Sequence, residues 1–176
     1  MEFLDPKKAL ASLGVFHNAV VADCGAGNGD FAYAAAELAG PSGKVYAFDI
    51  KADVIARVKN TAVERGLKNI ETLTVDLEKK NGTHIGDGVC DFAIVSNVLF
   101  LAHHKDIFLE EVVRILKPGG KILFIDWTAA HGGLGPAPDM VFSADSAHEL
   151  FNKMGLVTLS EVSAGAYHYG YILQKP

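Results

Sequence analysis

Basic patches, export signals, long apolar blocks and a cysteine framework are all missing from this 176-residue sequence. Lysine and arginine number 16 against 21 acids, a formal net charge of −5, and the two signs are interleaved. No basic stripe is therefore available to release counterions from a nucleic acid, and none is expected as a partner. Apolar residues make up 49% of the chain but fall in short runs, which excludes a membrane span and points to a buried sheet. Met1 to Leu13 carries Lys7 and Lys8 without an apolar stretch of signal-peptide length, so a cytoplasmic location is expected. The two cysteines, Cys24 and Cys90, end one strand and begin another at opposite ends of a parallel sheet, and are not expected to pair. Internal repeats and low-complexity tracts are absent too, and the length suits a single domain with a substantial core.

What is present is an alternation of apolar strands with helical segments. Asp5-Pro6 supplies a cap and a first-turn proline for a short helix ending near Gly14. A strand over Ala19 to Cys24 runs into the glycine-rich turn Gly25 to Gly29 and an alanine-rich helix, Asp30 to Ala39, stopped by Gly40-Pro41. The second strand is Lys44 to Asp49. In the helix after it, Val54, Ile55, Val58 and Ala62 share one face, and Gly66 supplies the terminating glycine. Strands three, four and five are expected over Ile70 to Asp76, Val89 to Ser96 and Lys121 to Asp126, all parallel. Between the last two, the helical period of Ile107, Phe108, Glu111, Val112 and Ile115 ends in a tight turn at Lys117-Pro118-Gly119-Gly120. After a glycine- and proline-rich loop from His131 to Pro138, Ser143 caps a helix to Met154, and strands Leu156 to Val162 and Tyr167 to Leu173 form a hairpin. The fold class is α/β, a doubly wound and mostly parallel sheet, with its site at the carboxyl ends of the strands.

The motifs fall at that end. Asp23 stands two residues before Gly25-Ala26-Gly27-Asn28-Gly29, in a strand-to-helix turn whose glycines let a ligand touch backbone. A nicotinamide-binding turn, Gly-x-Gly-x-x-Gly, would need glycine at position 30, where Asp30 stands. Asp23 and Asp30 would repel a pyrophosphate, whereas they suit a ligand carrying an ammonium and a sulfonium. Asp49, twenty residues beyond Gly29, ends strand two where a carboxylate can accept from both ribose hydroxyls, or simply cap the next helix. Asp76 ends strand three in the same way and can accept from the amino group of an adenine, or be a solvated cap.

With these residues the chain resembles the class I S-adenosylmethionine-dependent methyltransferases, most closely the branch with quinone-biosynthesis and arsenite methyltransferases. The resemblance covers nearly the whole chain and rests also on Asp91-Phe92-Ala93-Ile94-Val95-Ser96-Asn97 and on Arg114-Ile115-Leu116-Lys117-Pro118-Gly119-Gly120-Lys121. It implies a seven-stranded sheet of order 3-2-1-4-5-7-6 with strand seven antiparallel, in agreement with the terminal hairpin. It further implies that S-adenosylmethionine is held by Asp23, Gly25, Gly27, Gly29, Asp49, Ile50, Asp76, Leu77 and Asn97, with Leu77 against the adenine and Asn97 near the methionine moiety.

Methyl transfer from a sulfonium is an in-line displacement in which the enzyme mainly positions its reactants. For acceptors that must lose a proton, the candidate bases at this end of the sheet are His103, His104, Asp126 and His131. Trp127 is placed to wall an acceptor, and Tyr167 and His168 open the last strand, with Tyr167 and Tyr169 on one face and His168 on the other. His103, Tyr167 and His168 are the catalytic candidates; each also has a plain surface or packing reading. No metal site is expected. Arsenite as acceptor is disfavoured because Cys24 and Cys90 leave no thiolate trio. Little chain precedes the first motif, and the insertion after strand five is short compared with the quinone enzymes, so the acceptor site is expected to be open or completed by a partner. The expected function is methyl transfer to a small or lipid-like molecule, with a protein methyltransferase and a non-catalytic cofactor-binding scaffold as alternatives.

Overall fold

A computed structural model of the chain describes residues 4–15, 17–131 and 135–176, so part of the His131 to Pro138 loop lies outside the described residues. The elements run in the order α1 (Pro6–Leu13), β1 (Val20–Cys24), α2 (Asp30–Ala39), β2 (Lys44–Asp49), α3 (Ala52–Glu64), β3 (Ile70–Thr74), β4 (Cys90–Ser96), α4 (Lys105–Ile115), β5 (Leu116–Trp127), α5 (Ala144–Lys153), β6 (Val157–Glu161) and β7 (His168–Gln174). The seven strands form one sheet of order β3-β2-β1-β4-β5-β7-β6. β1 to β5 pair in parallel, and β7 runs antiparallel to both β5 and β6. No helix among the described residues is long and apolar enough to cross a membrane.

Local chemistry accounts for the helix ends. The Asp5 carboxylate accepts from the Lys7 and Lys8 amides at the start of α1, and Gly14 ends that helix in the left-handed region at φ +82°. Ser143 likewise accepts from Ser146 at the start of α5. The sheet is buried on both faces. On one face α1, α2 and α3 cover Val21, Ile94, Leu123, Ile125 and Ile172; on the other α4 and α5 cover Ala22, Val95, Phe124, Tyr171 and Leu173. Burial on both faces is why the parallel strands are apolar at successive positions instead of alternating.

Some strand boundaries depart from the sequence expectation. The turn at Lys117-Pro118-Gly119-Gly120 does not precede strand five but lies inside it. Cys90 pairs with Leu116 and Phe92 with Lys121, so the extra β5 residues bulge out between two paired stretches. The C-terminal segment holds the bulge: Gly119 N–H donates to the Lys175 carbonyl, Lys175 N–H to the Gly120 carbonyl, and Lys175 Nζ to the Val113 and Leu116 carbonyls left open at the end of α4. Strand three is shorter than expected, ending at Thr74, so Asp76 sits in the turn beyond it.

That turn is clamped from below. Glu111, on the buried face of α4, accepts from the Asn81 and Thr83 amides and the Thr83 hydroxyl, and is paired with Arg114 at 2.7 Å. Burial pushes the Glu111 carboxyl up, but Arg114 and Thr83 outweigh it and hold the group at about 2. Glu78 adds a second tie by accepting from the His104 N–H at the head of α4 at 2.6 Å.

Candidate functional site

The carboxyl ends of β1, β2 and β4 open onto two adjoining cavities. A 580 Å³ cavity runs past Asp23, Ala26, Phe31 and Ser96 to Leu4, Asp5 and Pro6 of α1. A 420 Å³ cavity lies over Asp49, Ile50, Val75, Asp76 and Leu77 and is closed by Leu101, Ala102, His103 and Phe108. Gly25, Gly27 and Asn97 line both and form the ridge between them.

The ridge is built from β2. The Gly25 and Ala26 amides both donate to the Phe48 carbonyl, and Gly29 N–H to the Ala26 carbonyl, closing a tight turn into α2. Gly25, Gly27 and Gly29 all have positive φ. They differ in what a side chain would meet. A Cβ on Gly25 would come within 2.5 Å of Val98 and one on Gly29 within 2.5 Å of Tyr33, whereas one on Gly27 would meet only the Gly25 carbonyl at 4.0 Å. Gly29 packs the turn onto α2, and Gly27 faces the open space of the two cavities.

Asp23 is 2% exposed, and its Oδ2 has no hydrogen-bond partner. Burial is the main reason its carboxyl rises to about 7; the Ala32 amide opposes the rise, and the charges of Asp49 and Asp30 add to it. Asn97 is held in the left-handed region at φ +53°, its N–H donating to the Ile125 carbonyl, with Oδ1 buried and unpartnered. Two acceptor atoms without donors thus belong to residues lining the larger cavity. An unmatched buried acceptor costs about 1–3 kcal/mol, so each favours a ligand that brings N–H groups.

The smaller cavity has different chemistry. Ile50 and Leu101 are 63% and 55% exposed there, beside the buried Val75, Leu77 and Ala102, and together they make an apolar slot. At its mouth Asp49 accepts from Gly27 N–H at 3.2 Å and Lys51 N–H at 3.0 Å, leaving further lone pairs on both oxygens. Asp76 accepts from Glu78 N–H at 3.0 Å and pairs with Lys79 at 3.2 Å.

Of the catalytic candidates, His103 is exposed and lines the smaller cavity, beside Leu77 and Leu101, and not the larger one. His104 is an exposed helix-head residue of α4. Asp126 is fully buried: its carboxyl, raised to about 6 mainly by burial, accepts from the Phe100 and Trp127 amides, which ties the Leu99–Leu101 turn to β5. Trp127, His131, Tyr167 and His168 gather at the ends of β5 and β7. Among the described residues they line neither cavity. As expected from alternation, His168 contacts Trp127 on one face, while Tyr169 packs against Phe124 on the other.

Sequence reasoning missed the walls that come from elsewhere in the chain. Leu4, Asp5 and Pro6 carry no local sign of a site, because only the packing of α1 against α2 and β5 brings them there. Val98, Leu101 and Ala102 did carry a signal: an apolar run in a connection that, without a ligand, leaves Leu101 in water.

Comparison with known proteins places the chain in a family. The model of a methyltransferase domain family matches residues 16–163. A ubiquinone/menaquinone biosynthesis C-methyltransferase of Bordetella parapertussis is 34% identical over 119 residues, covering 68% of this chain and 45% of that protein. An arsenite methyltransferase of Aquipseudomonas alcaligenes is 33% identical over 111 residues, 60% of this chain and 32% of that protein. The chain spans about half the length of the quinone-biosynthesis relatives it matches. The crystal structure of a SAM-dependent methyltransferase from Aquifex aeolicus superimposes with a TM-score of 0.90 at 27% identity, covering 99% of this chain and 91% of that one. With a family model spanning most of its length, a relative 34% identical, and the sheet order of that fold, the chain belongs to the class I S-adenosylmethionine-dependent methyltransferases.

Proposed function

We propose that this chain transfers a methyl group from S-adenosylmethionine to a small-molecule acceptor. The carrying observation is what meets at the Gly25-Gly27-Asn97 ridge: unpartnered acceptor atoms on Asp23 in the larger cavity and on Asn97 of the ridge itself, and beyond it an apolar slot with the Asp49 carboxylate at its mouth. The cofactor fits this arrangement. Its methionine ammonium supplies the N–H donors that Asp23 Oδ2 and Asn97 Oδ1 lack, its adenine takes the slot between Ile50, Leu77 and Leu101, and Asp49 receives the ribose hydroxyls. When bound, S-adenosylmethionine supplies an electrophilic methyl group whose thioether leaving group needs no proton. The chain's own task is to orient and shield it. The names of the quinone-biosynthesis and arsenite relatives favour a small acceptor over a protein.

Calorimetry with S-adenosylmethionine, S-adenosylhomocysteine and NAD tests the cofactor assignment, and a methyl-transfer screen over quinols, phenols, amines and peptides tests the acceptor. The two sulfur ligands are expected to bind and NAD is not. A chain that binds both but methylates nothing in the screen would instead be a scaffold. Asp49→Ala is expected to weaken S-adenosylhomocysteine binding by roughly 1.5–3 kcal/mol, the contribution of hydrogen bonds to a charged group. Unchanged affinity in a folded variant would remove Asp49 from the ribose site.

A further inference from the structure

Neither Glu111 nor Arg114 lines either cavity of the site, and the cofactor does not account for them. What they hold is backbone. Glu111 is 3% exposed. Its Oε1 accepts from the Thr83 N–H at 3.0 Å, the Thr83 hydroxyl at 2.7 Å and Arg114 Nη2 at 2.7 Å, and its Oε2 from the Asn81 N–H at 3.1 Å and Arg114 Nε at 2.8 Å. Arg114 Nη1 carries the network on to Asp87, and Nη2 also donates to the Thr83 hydroxyl oxygen. A carboxylate offers about four lone-pair sites, so Glu111 has nothing left for a ligand or a transferred proton. Nor is such a cluster a strong source of stability, because taking both charges out of water offsets most of their attraction. Its distinct contribution is direction.

The direction is toward Asp76. The two amides that Glu111 holds flank Gly82, and a Cβ on Gly82 would stand 1.9 Å from the Asp76 carbonyl oxygen and 2.8 Å from that of Lys79. The Gly82 backbone therefore lies directly on Asp76. Within the turn, Lys79 N–H donates to the Asp76 carbonyl, Gly82 N–H to the Lys79 carbonyl and His84 N–H to the Asn81 carbonyl. Asn81 and His84 are in the left-handed region at φ +58° and +60°, which residues with side chains keep only where the surroundings impose it. The outer side of the turn does not impose it. There Lys79, Lys80, Asn81, Gly82 and His84 line a 480 Å³ cavity, which shares Ile50, Val75 and Asp76 with the smaller cavity of the site. Asp76 thus stands on a wall between two open spaces, and α4 holds that wall through Glu111, beside the tie from His104 N–H to Glu78.

Helix spacing joins the clamp to the slot. Phe108 lines the smaller cavity, and Glu111 follows three residues on along the same buried face of α4, roughly 4.5 Å away at about 1.5 Å per residue. One helix face closes the slot and fixes the turn that carries Asp76.

We propose that Glu111, acting through Thr83 and Gly82, is a positioning residue that fixes Asp76 to receive the 6-amino group of adenine, so that the slot takes an adenosine and rejects the 6-oxo nucleoside, an inosine. This rests on the cofactor assignment above. Asp76 accepts from Glu78 N–H on Oδ1 and pairs with Lys79 through Oδ2, which leaves a lone pair on each oxygen. A 6-amino group brings a donor to that carboxylate, whereas a 6-oxygen sets acceptor against acceptor. Selection of this kind needs the carboxylate held in place. On a loosened turn Asp76 swings toward the outer cavity, and water takes over at the purine edge.

The test measures S-adenosylhomocysteine and S-inosylhomocysteine affinities by calorimetry for wild type, Glu111→Gln, Thr83→Ala, Thr83→Ser and Ser143→Ala, with hydrogen exchange of the Asn81 and Thr83 amides in the ligand-free proteins. In Glu111→Gln the new NH2 meets a donor whichever way it is turned; Thr83→Ala removes one hydroxyl only and serves if the first variant fails to fold. Wild type is expected to prefer the adenosyl ligand by at least about tenfold. In Glu111→Gln and Thr83→Ala the preference is expected to fall within about threefold, chiefly through weaker binding of the adenosyl ligand, and both amides to exchange at least about tenfold faster. Thr83→Ser keeps the hydroxyl and is expected to restore both. Ser143→Ala loses the α5 cap outside both cavities, and is expected to lower the melting temperature without changing the preference. A merely structural clamp would behave like that cap. A wild-type preference that persists in Glu111→Gln and Thr83→Ala, amides that exchange no faster there, or a wild type that binds both ligands equally would overturn the proposal alone. A wild type that binds neither ligand would overturn the cofactor assignment and this proposal with it.

Discussion

Gly27→Val is expected to abolish S-adenosylhomocysteine binding, by at least about a thousandfold or roughly 4 kcal/mol, in a protein that still folds. The reason lies in what surrounds the three glycines of the turn. Valine at Gly25 or Gly29 would drive a side chain into Val98 or Tyr33 and break packing. At Gly27 the nearest atom to a Cβ is the Gly25 carbonyl at 4.0 Å, so the isopropyl group enters the space shared by both cavities. The remaining cost is conformational, about 1–2 kcal/mol for a side chain in the left-handed region at φ +51°. Gly66 supplies a matched control, since it has φ +70° and nothing within 4 Å, and stands just past α3 outside both cavities. Gly66→Val is expected to lower the melting temperature about as much as Gly27→Val does, without changing affinity. Normal affinity in a folded Gly27→Val protein would mean that the ligand does not cross the ridge.

Asp23→Asn is expected to make the ligand-free protein more stable at pH 8 while impairing cofactor binding. In the folded, ligand-free chain burial raises the Asp23 carboxyl to about 7, against 3.8 for a solvated aspartate. The native state therefore holds a proton that the unfolded state has lost over that interval. This contribution is fully present below about pH 3.8 and is lost as pH rises through 7, amounting to about 4 kcal/mol in all. Thermal melts of both proteins from pH 5 to pH 8 isolate the effect. At about 2–4 °C per kcal/mol, the variant is expected to gain roughly 5–12 °C on wild type across that range. A cationic ligand beside Asp23 reverses the logic by favouring the carboxylate. S-adenosylmethionine binding to wild type is thus expected to release close to one proton at pH 6, measurable by calorimetry in buffers of different ionisation enthalpy, and to release less in Asp23→Asn. Parallel melting curves at every pH, or binding with no proton release, would show that Asp23 is already ionised in the free protein.

Much of the fold was legible because the signals are local. Pro6 after Asp5, Gly40 after Ala39 and Ser143 before Ala144 act through hydrogen bonds and dihedral angles within a few residues, and those helix ends fall where expected. The face of α3 shared by Val54, Ile55, Val58 and Ala62 is the buried one, since a 3.6-residue period survives whatever it packs against. The bulge in β5 was not legible. Lys117-Pro118-Gly119-Gly120 looks like a helix stop on its own, and only the register imposed by Cys90 on Leu116 and the ties to Lys175 carry it into the strand.

For the site, sequence by itself determined the donor and acceptor chemistry: carboxylates at the ends of β1 and β2, a glycine turn open to backbone contact, and an apolar residue after each of Asp49 and Asp76. Spacing along one strand-turn-helix unit is enough for that, because the crossover rule brings successive strand ends to one edge of the sheet. Tertiary structure decided which of these groups lacks a partner. Nothing in the sequence distinguishes Asp23, buried with a free Oδ2, from Asp126, equally buried but satisfied by two amides. Nor does it separate His103, exposed at the smaller cavity, from His168, which packs on Trp127 with its Nε2 buried and unpartnered. Desolvation and pairing depend on every atom packed around a group, and those atoms come from elements far apart in the chain.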